Sequence, residues 1–186
     1  KLSDSQKKQI AGEVIEIQRK VSKIHIRPDA AWTWNGTIRE LLDRAEERMQ
    51  AKQHFDSSKI AVVRTLQHEI QAYLDHIQPI PYLDDISTKN LLICEGRLSG
   101  IIDIDWMGFG DMLTFVAMTK VALLNMDLDT RYIDYLLEEI HPDTAAYKAF
   151  VFYCLVYCVD FMGERGMQFL DKTIPVNESV VRKLNH

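Results

Sequence analysis

The residues that could do chemistry gather in one stretch of the chain. Asp84, Asp85 and Asn90 stand just before a pair of apolar runs, and Asp103, Asp105 and Asp111 stand at and after its end. Carboxylates this dense repel one another when buried alone, and they are tolerated where water, a cation or a hydrogen-bond donor offsets the repulsion. Hard oxygen ligands suit Mg²⁺, which commonly takes one or two carboxylates together with phosphate oxygens and water. Residue types alone therefore point to a divalent-metal site, or else to a solvated, Asp-rich pair of loops.

The elements that must position these residues follow from periodicity. Leu91–Cys94 reads as a short buried strand, Glu95 to Arg97 carries a turn glycine, and Leu98–Ile104 is a second apolar run, which together read as a β-hairpin. Gly108 and Gly110 mark a tight loop after it. Upstream, Ser3 and Gln6 form a capping box that opens a helix with Ile10, Val14, Ile17, Val21 and Ile24 as its apolar stripe. Thr37 and Glu40 read as a second capping box, and a third helix runs from about Ser58 to His76, ended by Pro79 and Pro81. Downstream, helices are expected over Leu113–Leu124, Arg131–Ile140 and Pro142–Met162, with Pro142 in a first turn and a further short helix near Glu178. The fold class is mainly α (α+β), with one small central hairpin and no internal repeat or linker.

Composition narrows the function classes. The chain has 186 residues, 47% hydrophobic and 26% charged, which is enough for one good core. A net charge of −5 argues against nonspecific nucleic-acid binding, which needs a clustered basic face. The longest apolar run, Ala149–Val159, falls short of the roughly 20 residues a bilayer span needs, so no membrane partner is expected. Cys94, Cys154 and Cys158 are odd in number and read as buried free thiols in a reducing compartment, so a cytoplasmic location is expected.

Spacing sharpens the chemistry. Asp85-Ile-Ser-Thr-Lys-Asn90 is an Asp with an Asn five residues later, followed at once by an apolar strand; Gly100-Ile-Ile-Asp103 comes next, and Gly108-Phe-Gly-Asp111 closes the set. This ordered arrangement resembles the aminoglycoside phosphotransferase and choline kinase branch of the protein-kinase-like fold. The first helix, ending in Ile24-His25, is similar to that family's helix ending in Leu-His. The resemblance implies that Asp85 accepts or orients the proton of an attacking hydroxyl, and that Asn90 and Asp103 hold Mg²⁺ against the phosphates of ATP or GTP. Phosphoryl transfer wants this division, because it needs an in-line nucleophile and neutralised phosphate charge rather than covalent help. Asp111 would brace the loop, and Asp105 would be a supporting group or simply exposed.

The chain also departs from the pattern. Where the family usually has His two residues before the catalytic Asp and Gly directly before it, Leu83 and Asp84 stand here, and Phe115 takes the place of an Asp after the Gly-Asp. No Gly-rich phosphate loop or strand Lys is present. In the family those belong to a separate N-terminal lobe, so residues 1–186 read as the C-terminal catalytic and substrate-binding lobe alone, with its own N-terminal lobe as a partner in the full-length protein.

The expected substrate is a small molecule bearing a hydroxyl, cationic compounds included. Asp160 and Glu164, which interrupt the last apolar helix, and Trp34, in a loop with Trp32, are candidates to bind it. Ordinary helix-end exposure and structural packing are the alternatives for these three. Two competing functions stay open: a degenerate relative that binds a ligand or protein without catalysis, motivated by Leu83 and Phe115, and a metal-dependent hydrolase built on the same carboxylates.

Overall fold

The computed structural model describes residues 2–26, 32–52, 54–105, 107–169 and 172–176. Seven α-helices and three two-stranded antiparallel sheets are found among them: α1 (Asp4–Val21), α2 (Trp34–Lys52), α3 (Ser58–Glu69), α4 (Gln71–His76), β1 (Ile80–Leu83), a 3₁₀ turn (Thr88–Asn90), β2 (Leu91–Cys94), β3 (Arg97–Ile101), β4 (Met107–Gly110), α5 (Leu113–Asn125), α6 (Arg131–Ile140), α7 (Thr144–Glu164), β5 (Gln168–Phe169) and β6 (Lys172–Thr173). The architecture is mainly helical with a small central hairpin, as the sequence implies. The helix expected near Glu178 lies outside the described residues.

The core forms where α7 packs against α2, α3, α4 and α5. Ile38 and Leu42 of α2, Phe115 and Val116 of α5, and Phe150 and Tyr153 of α7 are almost wholly buried in it. Among the described helices, α7 alone is long and apolar enough to cross a bilayer, although the apolar run inside it is shorter; here it is the helix around which its neighbours pack. It starts at Thr144 rather than Pro142, because the Asp143 carboxylate accepts the Ala146 N–H at 2.8 Å and so caps it. Of the thiols expected to be buried, Cys94 is exposed on β2, while Cys154 and Cys158 are half-buried; burial pushes the Cys154 thiol up to about 12.

In α1 the capping box is present: the Ser3 hydroxyl accepts from the Gln6 N–H at 3.3 Å, and the Gln6 side-chain Oε1 accepts from the Ser3 N–H at 2.9 Å. The buried face is rotated from the expected stripe. Ile10, Ala11, Val14, Ile15 and Gln18 are inside, whereas Ile24 lies beyond the helix end and is half exposed. The helix packs on α6 along one flank and on β1 and β3 along the other, and this second flank recruits Gln18.

Three further elements differ from expectation. Helix α2 opens at Trp34, a turn before Thr37, because the Thr33 hydroxyl accepts the Gly36 N–H at 3.1 Å. The segment 58–76 breaks at Ile70, whose φ/ψ of −106°/12° separates α3 from α4. Gly108 and Gly110 do not form a loop but lie in β4, which pairs with β1 in the register Ile80↔Gly110 to Leu83↔Met107. Their missing Cβ atoms permit that pairing: a Cβ on Gly108 would come within 2.3 Å of the Tyr82 ring, and one on Gly110, at φ +151°, within 2.2 Å of the Trp34 ring.

The hairpin β2–β3 turns at Glu95 and Gly96, both with positive φ (51° and 79°), as a tight two-residue connection requires. It is not the buried strand pair the apolar run suggested. Leu92 and Ile93 are exposed, as is Cys94, because the two strands form a sheet of their own that no third strand extends among the described residues.

Candidate functional site

The site is built from the backbone outward, starting at the end of β1. The buried side-chain amide of Gln18 grips Leu83 at both polar atoms: its Nε2 donates to the Leu83 carbonyl at 2.8 Å and its Oε1 accepts the Leu83 N–H at 2.9 Å. One residue later the chain enters the loop Asp84–Asn90. There Asp85 is half-buried; its Oδ1 accepts from the Ser87 hydroxyl at 3.0 Å and its Oδ2 pairs with Lys89 at 3.1 Å. The Asn90 side chain, only 4% exposed with its residue, donates through Nδ2 to the Asp85 carbonyl at 2.7 Å, while its backbone N–H bonds the Ser87 carbonyl at 2.9 Å.

Asn90 also joins this loop to the end of the hairpin. Its carbonyl accepts the Ile102 N–H at 3.0 Å, which sets Asp103 one residue from the loop. Asp103 is exposed and its backbone is left-handed at φ +58°, a conformation unusual for a residue with a side chain. Asp105 is exposed in the irregular stretch that follows.

Asp111 stands apart from this group. It is buried, and both oxygens are taken up internally: Oδ1 accepts the Leu113 N–H at 2.9 Å, and Oδ2 accepts the Tyr73 and Tyr153 hydroxyls at 2.9 Å and 3.0 Å. Burial pushes its carboxyl upward while these donors oppose the shift. Its carbonyl binds Thr114 Oγ1 at 2.6 Å, and that oxygen meets the Tyr82 hydroxyl at 2.8 Å. Phe115, where an Asp anchor would be expected, is core instead, so Asp111, Thr114 and Tyr82 fasten the loop to α5.

Trp34 is corrected outright as a candidate to stack on a substrate. It is 5% exposed, packed beneath Gly110, and its indole N–H donates to the Tyr153 hydroxyl at 2.8 Å. It therefore belongs to the chain Trp34–Tyr153–Asp111 that supports the loop from inside.

A cleft of about 540 Å³ opens beside the loop, with Asp84, Asp85, Thr88, Phe161, Glu164 and Arg165 among its walls. Glu164 reaches it, and Arg48 stands 3.9 Å from that carboxylate. Asp160 does not line the cleft; it is half-buried and paired with Arg48, and burial raises its carboxyl. Asp84, one of the clustered carboxylates to which the spacing assigns no role, lines the same cleft. Its Oδ1 is buried with no hydrogen-bond partner, and burial, then the charge of Asp85, pushes the carboxyl up to about 6.

No cluster of three or more His, Cys, Asp or Glu suited to a metal is present among the described residues. The donor set still fits a hard cation. The Asn90 amide has its nitrogen committed to Asp85, which leaves its oxygen as the remaining acceptor, and Asp103 follows Ile102, whose N–H the Asn90 carbonyl accepts. Two such ligands suffice for an ion that completes its shell with phosphate oxygens and water.

Comparison with known proteins bears on the fold. Residues 1–150 match the model of the phosphotransferase enzyme family, APH. No curated protein sequence matches. Among solved structures, ADP-bound aminoglycoside phosphotransferase APH(2'')-Ib is 16% identical with a TM-score of 0.59, over 99% of this chain and 63% of that one. The ternary complex of APH(2'')-IIa with streptomycin and ATP is 18% identical with a TM-score of 0.59, over 87% and 57%. A thermostable mutant of APH(4)-Ia in a ternary complex with AMP-PNP and hygromycin B is 19% identical with a TM-score of 0.57, over 86% and 58%. At these identities the likeness shows the kinase-like fold, and the chain spans between 57% and 63% of the length of these structures.

Proposed function

Since the chain belongs to the phosphotransferase enzyme family, we propose that it is the catalytic lobe of an enzyme that transfers the γ-phosphate of ATP, or of GTP, to a hydroxyl of a small molecule. The observation that carries this reading is the closed loop Asp85–Asn90, tied through Asn90 to the backbone beside Asp103 and open to the 540 Å³ cleft. Asp85 takes the proton of the acceptor hydroxyl as its oxygen attacks the γ-phosphorus and the bond to the nucleoside diphosphate breaks. Asn90 and Asp103 hold Mg²⁺, which supplies neutralisation of phosphate charge when bound. Asp111 positions the loop, Asp105 supports it from the exposed stretch, and Glu164 faces the acceptor across the cleft with Asp160 behind it.

The nucleotide and an N-terminal lobe would cover the apolar surface beside this loop. Leu92, Ile102 and Ile104, on the hairpin and the stretch after it, are 47%, 46% and 54% exposed. Such a protein would work in the cytoplasm, where nucleoside triphosphates and reducing conditions are found.

A binding-only reading draws on the Lys89–Asp85 pair, which occupies one oxygen of the proposed base. Lys89 is largely exposed, and pairs of this kind are worth at most about 1 kcal/mol, so an incoming substrate displaces it readily. The test is ADP release by the full-length protein with ATP and Mg²⁺, across a panel of aminoglycosides, macrolides, choline-like amines and sugars. Release stimulated by at least one class supports transfer, and none by any class supports the binder.

A further inference from the structure

The two oxygens of the proposed base are held in unlike ways. Asp85 Oδ1 accepts the hydroxyl of Ser87, a residue only 6% exposed, at 3.0 Å. Oδ2 instead meets the ammonium of Lys89 at 3.1 Å, and that side chain is 64% exposed. Oδ2 is therefore the oxygen that an incoming hydroxyl can reach, and Lys89 sits on it.

The 3₁₀ turn Thr88–Asn90 explains this placement, because it carries Lys89 four residues on from Asp85 and directly before Asn90. Asp85 and Lys89 both line the 540 Å³ cleft. Two arginines stand near by, and each is engaged elsewhere. Arg48 is paired with Asp160 and Glu164, while Arg165, just past the end of α7, reaches the Pro175 carbonyl through Nη1 at 3.5 Å. Of these three cations, Lys89 is the one paired with the base.

An exposed pair of this kind is weak, so it keeps the ammonium close to the base without fixing it there. In a reacting complex the acceptor oxygen lies about 2.6–3.2 Å from the base and about 3–3.5 Å from the phosphorus. A cation already 3.1 Å from the same base oxygen is then a few ångströms from the phosphoryl oxygens, a span that its flexible four-carbon stem covers. Proton transfer to Oδ2 also removes the carboxylate charge that held Lys89, while the transferring group carries negative charge on its equatorial oxygens.

We propose that Lys89 is a catalytic residue: it leaves Asp85 when the acceptor hydroxyl docks and donates to the oxygens of the transferring phosphoryl group. This rests on the phosphotransferase reading of the cleft. In the step, the acceptor oxygen bonds to the γ-phosphorus and the bond from that phosphorus to the bridging oxygen breaks, its electron pair staying on the nucleoside diphosphate. The hydroxyl proton passes to Asp85 Oδ2, and Lys89 stays an ammonium throughout. The contact strengthens in the transition state, so its loss lowers kcat more than it raises KM for the nucleotide.

The test is binding of ADP with Mg²⁺ to the full-length protein, with and without aluminium fluoride, a planar mimic of the transferring phosphoryl group. Aluminium fluoride is expected to tighten ADP binding to the wild type, and Lys89→Met to lose about tenfold or more of that tightening. Lys89→Arg, which keeps the cation, should retain most of it, and ADP alone should bind all three proteins equally. Tightening kept in full by Lys89→Met, or an equal loss in the binding of ADP alone, would overturn the inference. Absence of tightening in the wild type would instead count against phosphoryl transfer in this cleft, and the inference would fall with it.

Discussion

The Asn90 side chain donates to the Asp85 backbone carbonyl at 2.7 Å, so the proposed metal ligand also holds the residue proposed as base. The two roles cannot be separated by truncation. Asn90→Ala should leave the Asp85 carbonyl without this donor and cost about 1–3 kcal/mol of stability, read by urea denaturation. It should also lower kcat/KM by more than the same stability loss does elsewhere in the core, for example in Val156→Ala.

Gln18 has a similar supporting role from α1. Removing its amide leaves both polar groups of Leu83 unsatisfied in a buried setting, and Gln18→Ala should destabilise by roughly 2–4 kcal/mol. Gln18→Glu keeps an acceptor for the Leu83 N–H but sets a carboxylate oxygen against the Leu83 carbonyl in a buried site, so at neutral pH it should be at least as destabilising as Gln18→Ala, with the cost falling at low pH as the carboxyl protonates and can donate.

At Gly110 the constraint is steric. A methyl group there would meet the Trp34 ring at 2.2 Å, in backbone that side chains rarely adopt. Gly110→Ala should cost on the order of 3 kcal/mol, and the displaced ring should break the Trp34–Tyr153 hydrogen bond, visible as a shift in tryptophan fluorescence. A variant as stable as wild type would show that β4 does not rest on Trp34.

Stability should also depend on pH through Asp84. Its carboxyl is raised from the ordinary carboxylate range to about 6 in the folded protein, so between about pH 4 and 6 the folded state binds more protons than the unfolded one. Its contribution is then fully present below about pH 4 and is lost as pH rises through 6. Asp84→Asn should therefore be more stable than wild type at pH 7.5, by on the order of 2 kcal/mol, with the difference vanishing near pH 4. Thermal melts at the two pH values read this directly.

Much of the site could be read along the chain because its determinants are local. The Asp85–Asn90 spacing closes on itself through one hydrogen bond, and the Glu95-Gly96 turn fixes the hairpin. What stayed hidden depends on distant partners. Gly108 and Gly110 look like loop residues until β1 is brought against them, Trp34 looks available until Tyr153 and Gly110 cover it, and Gln18 stands outside the expected apolar stripe until β3 and β1 pack on α1. Gln18 did leave a trace, a polar residue four positions after Val14 on the buried side of the helix. Asn125 and Arg165 left none, since only the fold brings them to the wall shared with Asp84.

The most direct test of the phosphotransferase reading is ADP release by full-length Asp85→Asn beside wild type, with ATP, Mg²⁺ and whichever acceptor stimulates the wild-type protein. If Asp85 takes the proton of the attacking hydroxyl, substrate-stimulated release should fall by about 10²-fold or more while the acceptor still binds. Stimulated release at the wild-type rate in Asp85→Asn would contradict that role.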